Sequence, residues 1–230
     1  MSRIILIETS TALCSTALVE DGKIVSYKES ETPRAQASLT APFVDEMLKE
    51  RNIRVKDCDA VCVSMGPGSY TGLRVGVSTA KGLCFGAQIP LLAAGTLDTL
   101  VWQAHDEGLL PEGCTAVVPM VDARRMEVYA AVFSPDGKQL TETQPQIIDA
   151  GSFADRLAAG PVLFIGDGAE KCRAVIDHPN AFFVQCCPKA SAMLHPATMA
   201  YDNKEFRDTA YFEPFYLKQF VATVSNKKLW

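Results

Sequence analysis

The sequence lacks most of the signatures that mark common catalytic and nucleotide-binding proteins. It has three histidines, and no two of them lie within a helical turn of each other. Because a metal-dependent hydrolase of the zincin type needs paired histidines on one helix face, we predict no metal site. A Walker loop, a dinucleotide-binding fingerprint and a Gly-x-Ser-x-Gly nucleophile elbow are also absent. We therefore predict no catalytic residues.

An excess of positive charge is missing as well. The chain carries 22 Lys and Arg against 27 Asp and Glu, for a formal net charge of -5. Since nucleic-acid binding depends on clustered cations, this balance argues against strong nucleic-acid binding by this chain alone. The pair Lys227-Lys228 is too short a run to reverse it.

Long hydrophobic runs and patterned cysteines are absent. No run approaches the roughly 20 apolar residues that span a bilayer, and the longest is broken by Arg74 and Lys81. The opening segment, residues 1–7, is too short for a signal peptide and is predicted to be a buried strand. The eight cysteines form no C-x-x-C pair, which is typical of free thiols in a reducing compartment. We expect a cytoplasmic protein without a membrane segment.

The most informative segment that is present is a glycine loop, residues 66–74, with the sequence Gly-Pro-Gly-Ser-Tyr-Thr-Gly-Leu-Arg. It follows an apolar strand-like run, residues 60–65, and leads into a segment with helical spacing, residues 70–85. Glycines allow a tight turn and a close approach of another backbone, while Ser69 and Thr71 are good helix N-caps. The pattern predicts a strand-to-helix turn with an anion-attracting or closely packed helix start.

Small residues recur every four positions along the helix that follows this loop. Gly72, Gly76 and Ala80 therefore lie along one face. Such a stripe lets another helix approach closely, and glycine inside a helix costs about 0.5–1 kcal/mol, which indicates a packing reason. Two interpretations fit this pattern: the stripe contacts a partner, or it packs on the chain's own sheet.

The two halves of the chain repeat one order of elements. Each is predicted as β-β-β-α-β-α-β-α, with an Asp-Gly turn between its second and third strands and an acid, Glu8 or Asp122, ending its first strand. We predict an α/β protein with two similar lobes, residues 1–107 and 108–230, each built on a mixed central sheet and joined near residues 106–113. In the second half the predicted elements include a strand over residues 127–134 and helices over residues 169–176 and 190–204. This layout is similar to that of the actin-like, ribonuclease H-like superfamily.

Four segments resemble the bacterial TsaB (YeaZ) family. They are residues 5–18 (Ile-Leu-Ile-Glu-Thr-Ser-Thr to Cys-Ser-Thr-Ala-Leu), the glycine block with its helix (66–83), residues 122–129 (Asp-Ala-Arg-Arg-Met-Glu-Val-Tyr) and residues 214–218 (Pro-Phe-Tyr-Leu-Lys). The resemblance covers nearly the whole chain, and its most specific part is the glycine block. Glu8 departs from the family pattern, which commonly has Asp there.

The resemblance implies a role in making N6-threonylcarbamoyladenosine in tRNAs that read codons beginning with A. It implies a non-catalytic subunit that pairs with TsaD, a larger paralogue that carries the transfer chemistry, together with the small ATPase TsaE. No cofactor is expected on the isolated chain, and ATP or ADP is expected only in the complex. tRNA is expected to bind mainly through the complex, and the chain alone is expected to form homodimers through the same surface.

The resemblance also directs the choice of candidate residues. Candidates for the partner interface lie in the glycine block and the preceding helix: Gly68, Tyr70, Thr71, Gly72, Arg74, Val75, Gly76, Thr79, Ala80, Leu83, Phe43 and Met47. Candidates for a vestigial cleft between the lobes are Glu8, Ser10, Asp122 and Arg124.

Two rival functions stay open at this point. A small actin-like ATPase or kinase would use the cleft between the lobes. The features that support this alternative are Glu8, Asp122 and the glycine loop. A metallopeptidase is suggested only by an older glycoprotease-like (M22) label of the family. Calorimetry with Mg-ATP tests the first, and metal analysis of the purified protein tests the second.

Overall fold

Five strands of the first half form one mixed sheet. The structure, a computed structural model, describes residues 2–217. The strands are β1 (Arg3–Glu8), β2 (Cys14–Glu20), β3 (Lys23–Ser30), β4 (Ala60–Gly66) and β5 (Leu91–Gly95). Their spatial order is β3-β2-β1-β4-β5, with β1 antiparallel to β2 and parallel to β4. The turn at Asp21-Gly22 joins β2 to β3, as the Asp-Gly pair predicts.

Two helices cover one face of this sheet. They are α1 (Gln36–Glu50) and α2 (Tyr70–Ala87). Their apolar faces pack on the buried side chains of β1 and β4, so that Met47 of α1 and Val77 of α2 share one core with Ile5. The strand β1 is buried on both faces, which explains its uninterrupted Ile-Ile-Leu-Ile run.

The second half repeats this arrangement with shorter elements. Its strands are β6 (Ala116–Asp122), β7 (Glu127–Ala130), β8 (Gln144–Ile147), β9 (Val162–Ile165) and β10 (Ala181–Val184). Their spatial order is β10-β9-β6-β7-β8, with β6 parallel to β9 and antiparallel to β7. The helices are α3 (Thr96–Asp106), which enters this half from β5, then α4 (Ala154–Ala159), α5 (Ala169–Arg173) and α6 (Leu194–Asp202).

The helices α3 and α6 connect the two sheets. Leu97 and Leu100 of α3 pack in the core of the second sheet with Phe133. In return, Ala197 of α6 packs on Leu92 of the first sheet. Because each helix packs across the junction, the lobe boundary between residues 107 and 108 stays a prediction.

The predicted order of elements is confirmed in both halves, with three shifts in the second. The strand predicted over residues 127–134 ends at Ala130, and Phe133 rejoins β6 only through an isolated bridge to Val117. The helix predicted over residues 169–176 ends at Arg173, and the last predicted helix begins with a 3₁₀ turn, Ala190–Met193. Lys218 and the pair Lys227-Lys228 lie outside the described residues.

All eight cysteines are free thiols, and five of them are buried. Burial raises the pKa of the Cys58 and Cys84 thiols to about 11. These side chains therefore behave as small apolar residues of the core. Within residues 2–217, none of the helices combines the length and the apolar character that a membrane span requires.

Candidate functional site

The glycine loop closes tightly over the end of β1. The backbone N–H of Ser69 donates to the carbonyl oxygen of Ser10 at 2.6 Å, and the Thr9 hydroxyl donates to the carbonyl of Gly72 at 2.8 Å. The Ser69 hydroxyl caps α2 by accepting from the N–H of Gly72. The helix start that could attract an anion is therefore occupied by the chain's own backbone and cap.

The stripe of small residues predicted for a partner faces inward. Gly72, Gly76 and Ala80 are buried. A Cβ on Gly72 would collide with the carbonyl oxygen of Thr9, and one on Gly76 would collide with the Thr9 hydroxyl. These three residues let α2 lie directly on the loop after β1, which favours packing within the chain, and a partner contact by this stripe stays a prediction.

A second stripe of small residues lies on the outward face of α2. Ser78, Gly82 and Gly86 also recur every four positions, and all three are exposed. A Cβ on Gly82 or Gly86 would meet nothing within 4 Å. Phe85 lies beside them with 73% of its surface exposed. The same four-residue spacing marks this stripe in the sequence, but it is not among the residues predicted for an interface.

The other interface candidates divide by exposure. Thr71 and Arg74 are exposed, and a further six are half-buried: Gly68, Tyr70, Val75, Thr79, Leu83 and Phe43. Met47 is fully buried, and its sulfur accepts a hydrogen bond from Thr16. The Met47 side chain therefore belongs to the core, and its place in an interface stays a prediction.

The last described segment crosses the start of α2. The N–H of Phe215 donates to the carbonyl of Met65 at 2.7 Å, and the Tyr216 ring lies 4.8 Å from the Tyr70 ring. The guanidinium of Arg74 lies 5.4 Å from the centre of the Tyr70 ring. These aromatic side chains and this arginine form a partly exposed cluster at the helix start, and such residues dominate binding energy at interfaces.

Glu8 does not open onto a cleft. Its carboxylate is fully buried; one oxygen accepts the N–H of Ser10 at 2.6 Å, and the other has no hydrogen-bond partner. The hydroxyls of Ser10 and Thr11 are also buried and unpartnered. Burial raises the pKa of Glu8 to about 7, despite the hydrogen bonds that lower it. Glu8 and Ser10 are therefore sealed beneath the glycine loop.

Asp122 has the opposite environment. It is exposed at the end of β6, and Lys171 of α5 contacts its carboxylate at 2.5 Å. The same ammonium donates to the carbonyls of Arg125 and Glu127 at 2.9 and 2.7 Å. Arg124 and Arg125 form the turn between β6 and β7 with φ of 70° and 52°, and both are exposed.

Asp167 adds a second carboxylate beside Asp122. It follows β9, and its side chain accepts the N–H of Asp122 at 2.8 Å. Burial, together with the negative charge of Asp122, raises the pKa of Asp167 to about 6. Asp167 is not among the residues predicted from the sequence, because only the parallel pairing of β6 with β9 places the two strand ends side by side.

The histidines do not form a ligand set, although two of them share a neighbour. The rings of His105 and His195 lie 5.0 and 3.4 Å from the Trp102 ring. Among residues 2–217, no group of three His, Cys, Asp or Glu side chains could hold a metal ion. The ring contacts with Trp102 pack α3 against α6.

These observations define the class of protein. Two mixed α/β lobes with the same element order, each ending its first strand in an acid, form an actin-like, ribonuclease H-like fold. An activator of 2-hydroxyisocaproyl-CoA dehydratase from Clostridium difficile, solved with bound ADPNP, matches 88% of this chain at a TM-score of 0.50 and 9% identity. At that identity the match concerns the fold alone.

The chain belongs to the TsaB/YeaZ family. The family model described as "TsaD: tRNA N6-adenosine threonylcarbamoyltransferase" matches residues 30–223. The solved YeaZ from Pseudomonas aeruginosa covers 94% of this chain and 100% of its own, with a TM-score of 0.81 and 26% identity.

Curated relatives carry the name "tRNA threonylcarbamoyladenosine biosynthesis protein TsaB". The Escherichia coli protein is 36% identical over 134 residues, 58% of this chain, and the Bacillus subtilis protein is 28% identical over 178 residues, 76% of this chain. The match spans 56% of the length of the Escherichia coli relative and 75% of that of the Bacillus subtilis relative.

Proposed function

We propose that this protein is a non-catalytic subunit in the biosynthesis of N6-threonylcarbamoyladenosine in tRNAs that read codons beginning with A. In this proposal it binds TsaD, and its surface for TsaD is the outward face of α2. The family membership supports the pathway. The single observation that carries the binding surface is the exposed stripe Ser78, Gly82 and Gly86 beside the exposed Phe85.

This stripe costs stability without any gain inside the described chain. Each glycine in a helix interior destabilises by about 0.5–1 kcal/mol relative to alanine, and a Cβ on Gly82 or Gly86 would meet open space. Small side chains on an exposed face allow a second helix to approach the backbone of α2 closely. The rim of Val75, Thr79 and Leu83 is half-buried already and would complete an apolar contact.

Phe85 is the expected anchor of that contact. An exposed phenylalanine leaves a large apolar surface in water, and aromatic anchors supply much of the binding energy in protein interfaces. At the other end of α2, Tyr70 and Arg74 add the aromatic and cationic groups that interfaces favour. The three groups span the length of the helix, which fits a helix-against-helix contact.

The sealed Glu8 and the lysine-paired Asp122 support the non-catalytic part of the proposal. An actin-like ATPase needs acids that face nucleotide phosphates and their cation across the cleft. Here Glu8 lies beneath the glycine loop, and the ammonium of Lys171 already occupies the side of Asp122. Calorimetry with Mg-ATP on the isolated chain tests this, since micromolar binding with turnover would favour the ATPase alternative. For the metallopeptidase alternative, stoichiometric metal in the purified protein would be the favourable result.

The rest of the proposed assembly follows the family. TsaE joins TsaD and this chain, ATP or ADP binds only in the complex, and tRNA binds mainly through the complex. The isolated chain forms a homodimer through the same α2 face, because paralogous folds present similar surfaces. We place the protein in the cytoplasm.

The test of the binding surface is Gly82→Leu. The side chain would point into solvent, so the chain should fold, whereas the close approach of a facing helix would be blocked. We expect binding to TsaD to weaken about 100-fold, measured by calorimetry, with a parallel loss of tRNA product in the reconstituted complex.

Ala158→Leu is the matched control, because Ala158 is an exposed helical residue on α4 of the second half. It should leave TsaD binding unchanged. Wild-type affinity for Gly82→Leu would remove the outward face of α2 from the interface.

A further inference from the structure

A cleft of about 400 Å³ lies between the two sheets and is separate from the α2 face. One of its walls is formed where β4 and β5 end, at Gly66 and Gly95. The carboxyl ends of neighbouring parallel strands are where open α/β sheets bind their ligands. Its volume falls within the range of small-molecule sites.

The first-half wall of the cleft is mainly apolar. Met65, Pro67 and Leu97 line it, and Phe215 of the last described segment closes one end. The hydrogen bond from the N–H of Phe215 to the carbonyl of Met65 holds this end in place. The wall therefore offers a preformed contact for a compact apolar body.

Asp98 supplies a carboxylate to this apolar wall. It lies in the first turn of α3, and its side chain folds back over Gly95, where a Cβ would collide with it. Asp98 is half-buried, and no other residue among 2–217 gives it a hydrogen bond or an ion pair. Burial raises the pKa of the Asp98 carboxyl above its ordinary value. Its own backbone N–H donates to it, but within the described part of the chain it has no cationic partner, and a partly desolvated carboxylate of this kind gains free energy when a cation approaches.

The wall of the cleft that belongs to the second half is a polar loop held by internal hydrogen bonds. The Gln139 amide donates to the Thr141 carbonyl at 2.8 Å and to the Thr143 hydroxyl at 3.1 Å, while the Thr141 hydroxyl accepts from the N–H of Val132. This bracing presents the exposed Glu142 carboxylate to the cleft. Among residues 2–217, the lining contains these two acids and no Lys, Arg or His, so the field of these residues favours cations and repels phosphates.

We propose that this cleft binds a small organic cation, with one ammonium or guanidinium group on a compact apolar body. The cation pairs with Asp98, the apolar body contacts Met65, Leu97 and Phe215, and Glu142 adds attraction from the opposite wall. The site is independent of TsaD binding, since it shares no residue with the outward face of α2.

The probe is 2-phenylethylamine, with 2-phenylethanol and phenylacetate as its neutral and anionic counterparts. Titration of the full chain is followed by amide NMR signals of Gly66 and Gly95. We expect saturable shifts with the amine and binding at least about tenfold weaker with the other two compounds. Equal binding of all three, or no shift at the two glycines with the amine, would overturn the proposal.

Variants of Asp98 separate a charge effect from a folding effect. Asp98→Asn should weaken amine binding about tenfold, whereas Asp98→Glu, which keeps the charge, should retain the preference for the amine. Asp155→Asn, which removes an exposed acid on α4, is the control and should change nothing. Thermal unfolding checks that each variant is folded. Unchanged amine binding by folded Asp98→Asn would show that the carboxylate is not the binding group.

Discussion

Each half of the molecule ends its first strand with an acid, but the two acids lie in different environments. In the first half, the glycine loop and α2 cover Glu8, which is fully buried. In the second half, the loop after β6 is open, Asp122 is exposed, and a lysine from α5 neutralises it. In the first half the strand end is therefore covered by backbone, whereas in the second half its acid is paired with a lysine side chain.

This difference shows that a repeated fold can close its equivalent strand ends by two physical routes. Backbone sealing requires residues without side chains at the contact, which explains Gly72 and Gly76. Side-chain pairing requires only one long cation, Lys171, and leaves the surrounding surface open to water. The first route should be costly to disturb, because a backbone cannot move aside, while the second should tolerate change.

The largest expected effect comes from breaking the backbone seal with Gly72→Ala. The new Cβ would collide with the Thr9 carbonyl oxygen, so α2 must shift away from β1. We expect a loss of more than about 3 kcal/mol in the free energy of unfolding, measured by urea denaturation. Gly82→Ala is the matched control, since it meets open space in the same helix and should stabilise by about 0.5–1 kcal/mol. Equal effects of the two substitutions would mean that α2 does not pack on Thr9 as described.

The next largest effect is a pH dependence of the free energy of unfolding, caused by the buried Glu8. The pKa of Glu8 is about 7 when folded, against an ordinary value of 4.5. Between these values the folded chain holds a proton that the unfolded chain has lost, so stability falls as pH rises from 4.5 to 7. Above about pH 7, the charged Glu8 carboxylate in the folded chain lowers the free energy of unfolding by about 3 kcal/mol.

Glu8→Gln mimics the protonated acid and tests that dependence. The variant should be more stable than wild type at pH 8 and should show a flatter profile of unfolding free energy between pH 5 and pH 8. Denaturant unfolding across this range measures both quantities. A wild-type slope that persists in Glu8→Gln would assign the pH dependence to another group.

The smallest effect is expected from breaking the ion pair with Lys171→Met. The ammonium bonds Asp122 and two carbonyls at a partly exposed site, so we expect a loss of about 1–2 kcal/mol. The positive charge also lowers the pKa of Asp167, which should therefore rise above about 6 in the variant. An NMR titration of the Asp167 carboxyl measures this shift, and an unchanged pKa would show that Lys171 does not act on the pair of acids.

Much of the fold follows from local sequence patterns. The apolar run of β1, the Asp-Gly turn at residues 21–22 and the glycine block each predict their element, and the order of elements is confirmed in both halves. The element ends in the second half were less predictable: β7 is interrupted after Ala130, and Phe133 pairs with β6 again only through its bridge to Val117. That interruption depends on a partner strand, which local pattern does not contain.

Less of the candidate site could be predicted. The four-residue spacing of Gly72 and Gly76 correctly identified one helix face, but the same spacing at Ser78, Gly82 and Gly86 went unrecognised. The family resemblance makes Met47 of α1 an interface candidate, whereas in the structure its side chain lies in the core.

The sequence by itself determined the helices and strands, their order and the positions of the two strand-end acids, because each depends on residues close together in the chain. The tertiary structure alone decided which small-residue face of α2 is buried, that Glu8 is sealed while Asp122 meets Lys171, and that Asp98 faces a cleft. These outcomes depend on which surface packs against which, and burial and charge pairing arise between residues that are distant in the sequence.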